Sequence, residues 1–154
     1  MLHFAYGSNM DRALMLRRCP TAEAIGPARL DHWRFIVTRD GYASIVPAPG
    51  EVVHGVLWRL APRDLAAVNA YESIDRGLYR RRVLTVRGGG CVQALVYVAR
   101  EVARERAAGR PKPGYQDLVV AAARAWNLPE DYVGKLARWA PGRAGAPRTP
   151  GEGA

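Results

Sequence analysis

The chain lacks any run of about 18 consecutive apolar residues, the length a membrane-spanning helix needs, so no span is expected. Cysteine is scarce: Cys19 and Cys91 lie far apart, outside any CxxC or Cys/His ligand spacing, which argues against a disulfide framework or a structural zinc site. The three histidines, His3, His32 and His54, are isolated, and none has a partner at metal-ligand spacing. No GxSxG, HExxH or P-loop pattern occurs, which removes the usual signatures of a serine hydrolase, a zinc protease and a nucleotide-binding loop. Acidic residues are few: 14 Asp+Glu stand against 23 Lys+Arg, a formal net charge of +9. That excess invites a nucleic-acid partner, but the arginines are scattered among Ala, Gly and Pro. The densest cluster, Arg80, Arg81 and Arg82, opens an apparent strand with no stacking aromatics beside it, so no nucleic-acid partner is expected.

What is present suits one ordinary domain. A chain of 154 residues with 49% hydrophobic content can bury a core without metal or disulfide help. Met1 runs straight into strand-like sequence without a charged and apolar leader, the pattern of a soluble, cytoplasmic protein.

Hydrophobic periodicity divides residues 1–140 into alternating strands and short helices. "LHFAY" reads as a buried strand, followed by a Gly7-Ser8-Asn9 turn and a short helix from Asp11 to Arg18 that Pro20 stops. "WRFIVT" from Trp33 reads as a second strand, "ASIVPAPG" as a third ending in a Pro/Gly turn, and "EVVHGVLWRL" from Glu51 as a fourth. Gly55 marks a bulge or a close backbone approach in that fourth strand. The period then changes from two to about 3.6 in "APRDLAAVNAYES", with Pro62 at a helix start. "RRRVLTVR", "GGG" and "CVQALVYVA" form a hairpin. "YQDLVVAAARAWNL" and "EDYVGKLARWA" form two helices separated by Pro129, with Trp126, Tyr132 and Trp139 packing them into the core. Residues 141–154, rich in Pro, Gly and Ala and without periodicity, read as a disordered tail. The expected fold is α+β, a small mixed sheet curled into a barrel with short flanking helices.

Two local features carry chemical potential. In "AYGSN", a strand that stops at Gly7 leaves the amides of Gly7, Ser8 and Asn9 near a helix start, where they can hold a carboxylate or a developing oxyanion. The alternative is that Ser8 or Asn9 simply caps the helix. Glu72, late in a helix and flanked by Tyr71 and Ile74, is either a solvated glutamate or a carboxylate whose pKa is lifted toward the range of a general base.

Taken in order, "FAYGSN", "GYASIVPAPGEVVHGVLWRL", a helix ending in a glutamate seven residues before Tyr79, and "PKPGYQDLVVAAARAWNLPEDYVGKL" resemble the γ-glutamylcyclotransferase family from about Leu2 to Leu136. The branch acting on γ-glutamyl amino acids is the most similar. The resemblance implies that His3, Phe4, Ala5, Tyr6, Gly7 and Ser8 form the segment that binds the γ-glutamyl group, largely through backbone amides. It implies that Glu72 is the catalytic acid/base, and that Tyr97 and Tyr115 line the substrate pocket. The implied reaction needs no metal, cofactor or enzyme nucleophile: the substrate's α-amine attacks its own γ-carbonyl and releases 5-oxoproline and an amino acid or amine. One departure is visible. Many members have glycine after the glutamate where this chain has Ser73, although Gly77 can still supply the turn. Two rivals share the fold: a cyclotransferase that removes a γ-glutamyl protecting group from a biosynthetic amine, and a binding module without chemistry. Relatives that dimerise leave room for a homodimer.

Overall fold

The computed structural model describes residues 1–72, 78–100 and 109–140. Ser73, Gly77 and the tail read in residues 141–154 lie outside the described residues. Five strands close into a barrel in the order β1-β3-β2-β4-β5, the curled sheet expected from the sequence. Strand β1 is Leu2–Ala5, β2 Glu23–Val37, β3 Ala43–Arg59, β4 Tyr79–Arg87 and β5 Cys91–Ala99. The sheet is mixed: β1 runs antiparallel to β3, with Phe4 opposite Leu57, and parallel to β5 through His3 and Leu95. Strand β1 thus lies between β3 and β5 in the barrel. Among the described residues four α-helices flank the barrel: α1 Arg12–Arg18, α2 Pro62–Tyr71, α3 Tyr115–Ala125 and α4 Glu130–Ala137. Among the described residues, no helix is long and apolar enough to cross a membrane.

Two strand expectations need correction. The third and fourth strands are one, the 17-residue β3. The "PAPG" signal produces a local irregularity instead of a reversal: Trp33 pairs with Pro47 and Asp31 with Val52, so the extra residues bulge out of β3 while the ladder resumes on either side. His32 on the facing strand receives the Gly50 amide on its Nδ1 at 3.1 Å, which satisfies backbone that the ladder abandons. The second strand begins at Glu23, ten residues before Trp33. Its first half is largely solvent-facing and contains Gly26 and Pro27, so it carries little alternation.

Gly55 is a close approach. A Cβ there would sit 2.2 Å from the Ala5 carbonyl oxygen and 2.8 Å from Phe4 Cζ. The end of β1 can therefore lie flat on β3 only because position 55 has no side chain. The core around this contact includes Phe4, Trp58, Val56 and Ile45, all fully buried. Helices α3 and α4 are tied together by Gln116 Nε2 donating to the Leu136 carbonyl at 2.9 Å. Tyr132 is buried, and Trp126 and Trp139 pack against the same core, as their spacing predicts.

Candidate active site

The chain leaves β1 at Ala5 and turns at Gly7, whose missing side chain again decides the path. A Cβ at Gly7 would stand 2.9 Å from the Tyr115 hydroxyl and 3.1 Å from Ala43 Cβ. The next residues, Ser8–Met10, form a 3₁₀ turn closed by Met10 N donating to Gly7 O and Asp11 N to Ser8 O, each at 3.0 Å. Helix α1 is capped by Asp11, whose Oδ1 accepts from Leu14 N at 2.8 Å. Ser8 and Asn9 are therefore not the caps of α1, and the plain capping alternative for them falls away. Both are buried, at 6% and 4% exposure. As in any helical turn, the first amides have no carbonyl inside the turn to accept them. The Ser8 amide instead approaches the Tyr115 hydroxyl. Trp126 Nε1 fixes the other end of the turn by donating to the Met10 carbonyl at 2.7 Å.

Glu72 follows the last residue of α2, with its amide still donating to Val68 O at 2.9 Å. The side chain is partly buried. Burial disfavours its charged form and lifts its pKa from 4.5 to about 7; the Arg18 guanidinium acts in the opposite direction. The sequence offers two causes for such a rise, the helix end and the flanking Tyr71 and Ile74, and desolvation is the leading one in the folded chain. Across the cavity the Asn9 side-chain amide donates to Glu72 Oε1 at 3.5 Å.

Tyrosines complete the wall. Tyr6 OH donates to the Tyr97 carbonyl, and Tyr97 OH to Asn69 Oδ1 at 2.5 Å. Tyr115 OH accepts from Ala43 N at 3.2 Å, and Tyr79 OH donates to Ala43 O at 2.9 Å. Burial pushes the phenol of Tyr115 up to about 12 and those of Tyr6, Tyr79 and Tyr97 well above their ordinary value. All four therefore stay neutral over the range in which Glu72 titrates, and each serves as a hydrogen-bonding group.

These residues enclose a cavity of about 240 Å³. The segment His3–Ser8, Glu72, Tyr97 and Tyr115, all named from the sequence, line it together. Within the segment the roles differ. Phe4 is fully buried with its ring against Gly55. His3 Nδ1 lies 3.2 Å from the Leu95 carbonyl, an acceptor, so Nδ1 carries the hydrogen. Burial lowers the His3 pKa to about 4, which keeps the ring neutral near pH 7. Ser8 Oγ lies 3.2 Å from Tyr71 OH.

Sequence reading missed four lining side chains, Tyr42, Ala43, Leu78 and the Asn9 amide, and gave Tyr71 and Tyr79 no part in the cavity. Tyr42 immediately precedes β3 and Ala43 opens it, where the sequence signals only a strand. Tyr79 opens β4 beside the arginine cluster that dominates that segment. Among the described residues no group of His, Cys, Asp and Glu is arranged to hold a metal ion.

The family model described as "Gamma-glutamyl cyclotransferase, AIG2-like" matches residues 3–118. The chain is similar to the gamma-glutamylcyclotransferase of Mus musculus, 26% identical over 147 residues that cover 88% of this chain and 76% of that one. It is equally similar to the Homo sapiens protein of that name, 26% identical over 145 residues with the same coverage. A solved structure titled "Gamma-glutamyl cyclotransferase" shares the fold with a TM-score of 0.82 at 24% identity, over 99% of this chain and 94% of that one. The chain therefore belongs to the γ-glutamyl cyclotransferase, AIG2-like family.

Proposed function

We propose that the protein is a γ-glutamylcyclotransferase acting on a small γ-glutamyl amino acid or amine, with Glu72 as general acid and base. The observation that carries this reading is the meeting, in one cavity, of an amide-bearing turn at Gly7–Asn9 and a carboxyl whose pKa is raised to about 7. An ordinary surface glutamate would be too weak a base for an ammonium group. One poised near neutrality balances availability against strength.

The reaction runs through the substrate's own amine. Glu72 takes a proton from the α-ammonium, and the freed nitrogen attacks the γ-carbonyl carbon to close a five-membered ring. The carbonyl π electrons move to oxygen, and the turn amides, with the neutral Tyr115 hydroxyl beside Ser8, stabilise the oxyanion. Glu72 returns its proton to the departing nitrogen, the carbon–nitrogen bond breaks and the carbonyl re-forms. The second proton lost by the attacking nitrogen also ends on the leaving amine, so 5-oxoproline and an ammonium product balance the starting ammonium and amide. No step needs an enzyme nucleophile. Holding the glutamyl chain folded supplies much of the acceleration, since well-oriented intramolecular reactions reach effective molarities of about 10⁵–10⁸ M.

Tyr42, Tyr71 and Leu78 are exposed members of the cavity lining, and the leaving group is placed toward them. The reading takes the cytoplasm as its setting and a small molecule as its partner. Release of 5-oxoproline from a panel of γ-glutamyl amino acids and γ-glutamyl amines tests it. Turnover supports the reading, and the ranking of leaving groups separates a degradative enzyme from one that removes a γ-glutamyl protecting group. Binding of these compounds without turnover would overturn it in favour of a binding module.

A further inference from the structure

One cation stands behind the proposed site with no part in the steps above. Arg18 ends α1, and its guanidinium carbon lies 3.4 Å from the centroid of the Tyr71 ring. Its Nη1 donates to Ser8 Oγ at 3.3 Å and to Asn9 Oδ1. One side chain thus holds three others, from the turn and from the end of α2.

The consequence lies in the orientation of Asn9. A guanidinium has donors only, so the Asn9 atom facing it is the carbonyl oxygen. The other terminal atom, 3.5 Å from Glu72 Oε1, is then the NH₂ group, which donates. With that amide reversed, an oxygen would face the carboxylate and repel it. The Tyr71 ring pinned under Arg18 belongs to the residue next to Glu72, so the stacking also fixes the backbone from which the carboxylate projects.

We propose that Arg18 is a positioning residue for Glu72, acting through the Asn9 amide and the Tyr71 ring. This rests on Glu72 being the base of the proposed reaction. Arg18 also opposes the burial that raises the Glu72 pKa. The titratable groups coupled to Glu72 from the other elements are Tyr6 after β1, Tyr79 on β4, Tyr97 on β5 and Tyr115 on α3. All four are neutral phenols near pH 7, so they do not replace the positive charge. Tyr71 presents its ring to Arg18 and its hydroxyl to Ser8.

The test is a ¹³C NMR titration of the Glu72 carboxyl in full-length wild type, Arg18→Met and Arg18→Lys, together with the pH profile of kcat/KM for 5-oxoproline release. Arg18→Met is expected to raise the Glu72 midpoint by about one pH unit, and to move the acid limb of kcat/KM with it. The ionised fraction near pH 7 then falls about fivefold. Arg18→Lys keeps the charge but cannot stack and hold both oxygens at once, so its midpoint stays nearer wild type while kcat falls with KM little changed. An unmoved Glu72 midpoint in folded Arg18→Met overturns the proposal. So does wild-type kcat in Arg18→Lys, which decides the matter if Arg18→Met does not fold. The titration is independent of turnover: an inactive wild type would overturn the proposed function, while the midpoints would still report whether Arg18 controls Glu72.

Discussion

The Asn9 side-chain amide donates to the Glu72 carboxylate at 3.5 Å, across 63 residues of sequence. This contact joins the turn after β1 to the end of α2, and so joins the oxyanion-stabilising part of the proposed machinery to its base.

Gly7 and Tyr115 are expected to behave as a coupled pair. In Gly7→Ala the new Cβ meets the Tyr115 hydroxyl at 2.9 Å and Ala43 Cβ at 3.1 Å, so the turn or the Tyr115 side chain must give way, and the misplacement should lower kcat about tenfold. Introducing Tyr115→Phe removes the closer of the two obstacles. The loss caused by Gly7→Ala should therefore be smaller in the Tyr115→Phe background than in wild type, a non-additivity read directly by a double-mutant cycle of kcat/KM. Strictly additive losses would show that the hydroxyl does not set the turn.

Ser8 separates amide from hydroxyl. Ser8→Pro deletes a backbone donor at the proposed oxyanion site, and removal of one such donor costs about 10²–10³ in kcat. Ser8→Ala keeps the donor and loses only the contacts of Oγ with Tyr71 and Arg18, so its kcat should fall far less. Equal losses in two variants of matching circular dichroism would assign the role to the hydroxyl.

Glu72 should make the protein less stable as pH rises. Its folded pKa, about 7, lies above the ordinary 4.5, so the folded state binds more protons than the unfolded state between these values. The carboxyl's stabilising effect is thus full below pH 4.5 and disappears as pH rises through about 7. Glu72→Gln, which never ionises, should gain roughly 2–3 kcal/mol relative to wild type on going from pH 4.5 to pH 8, measured by urea denaturation. A constant difference between the two proteins across this range would contradict the raised pKa.

Gly55→Ala should be a folding defect. The added methyl group would overlap the Ala5 carbonyl oxygen at 2.2 Å, and forcing volume into such a contact costs about 1–3 kcal/mol or more. Thermal unfolding should show a Tm several degrees below wild type. An unchanged Tm would mean that β1 moves freely away from β3.

The sequence revealed those parts of this molecule whose signals are local. The helices α2, α3 and α4 and the hairpin of β4 and β5 follow from period and turn residues, and the barrel expectation follows from their alternation. The joined strand β3 does not, because Pro47, Pro49 and Gly50 give the same signal whether the chain reverses or bulges within a ladder. What distinguishes them is His32 on β2, a partner supplied by tertiary structure. The site divides in the same way. "FAYGSN" and Glu72 are recognisable by resemblance, but that Asp11 and not Ser8 caps α1 is a matter of which side chain reaches which amide. Tyr42, Ala43 and Leu78 reach the cavity only because the barrel closes. Arg18 reads as one more basic residue at a helix end until α1 and α2 bring its guanidinium onto Tyr71.

The most direct test of the central claim is single-turnover release of 5-oxoproline from a γ-glutamyl amino acid by wild type and Glu72→Gln, each shown to be folded and to bind the substrate. The amide variant is expected to bind the substrate with little change but to lose nearly all turnover, by at least about 10²-fold, the scale of general acid–base catalysis. Substantial turnover by Glu72→Gln, within about tenfold of wild type, would remove Glu72 from the base role and contradict the mechanism.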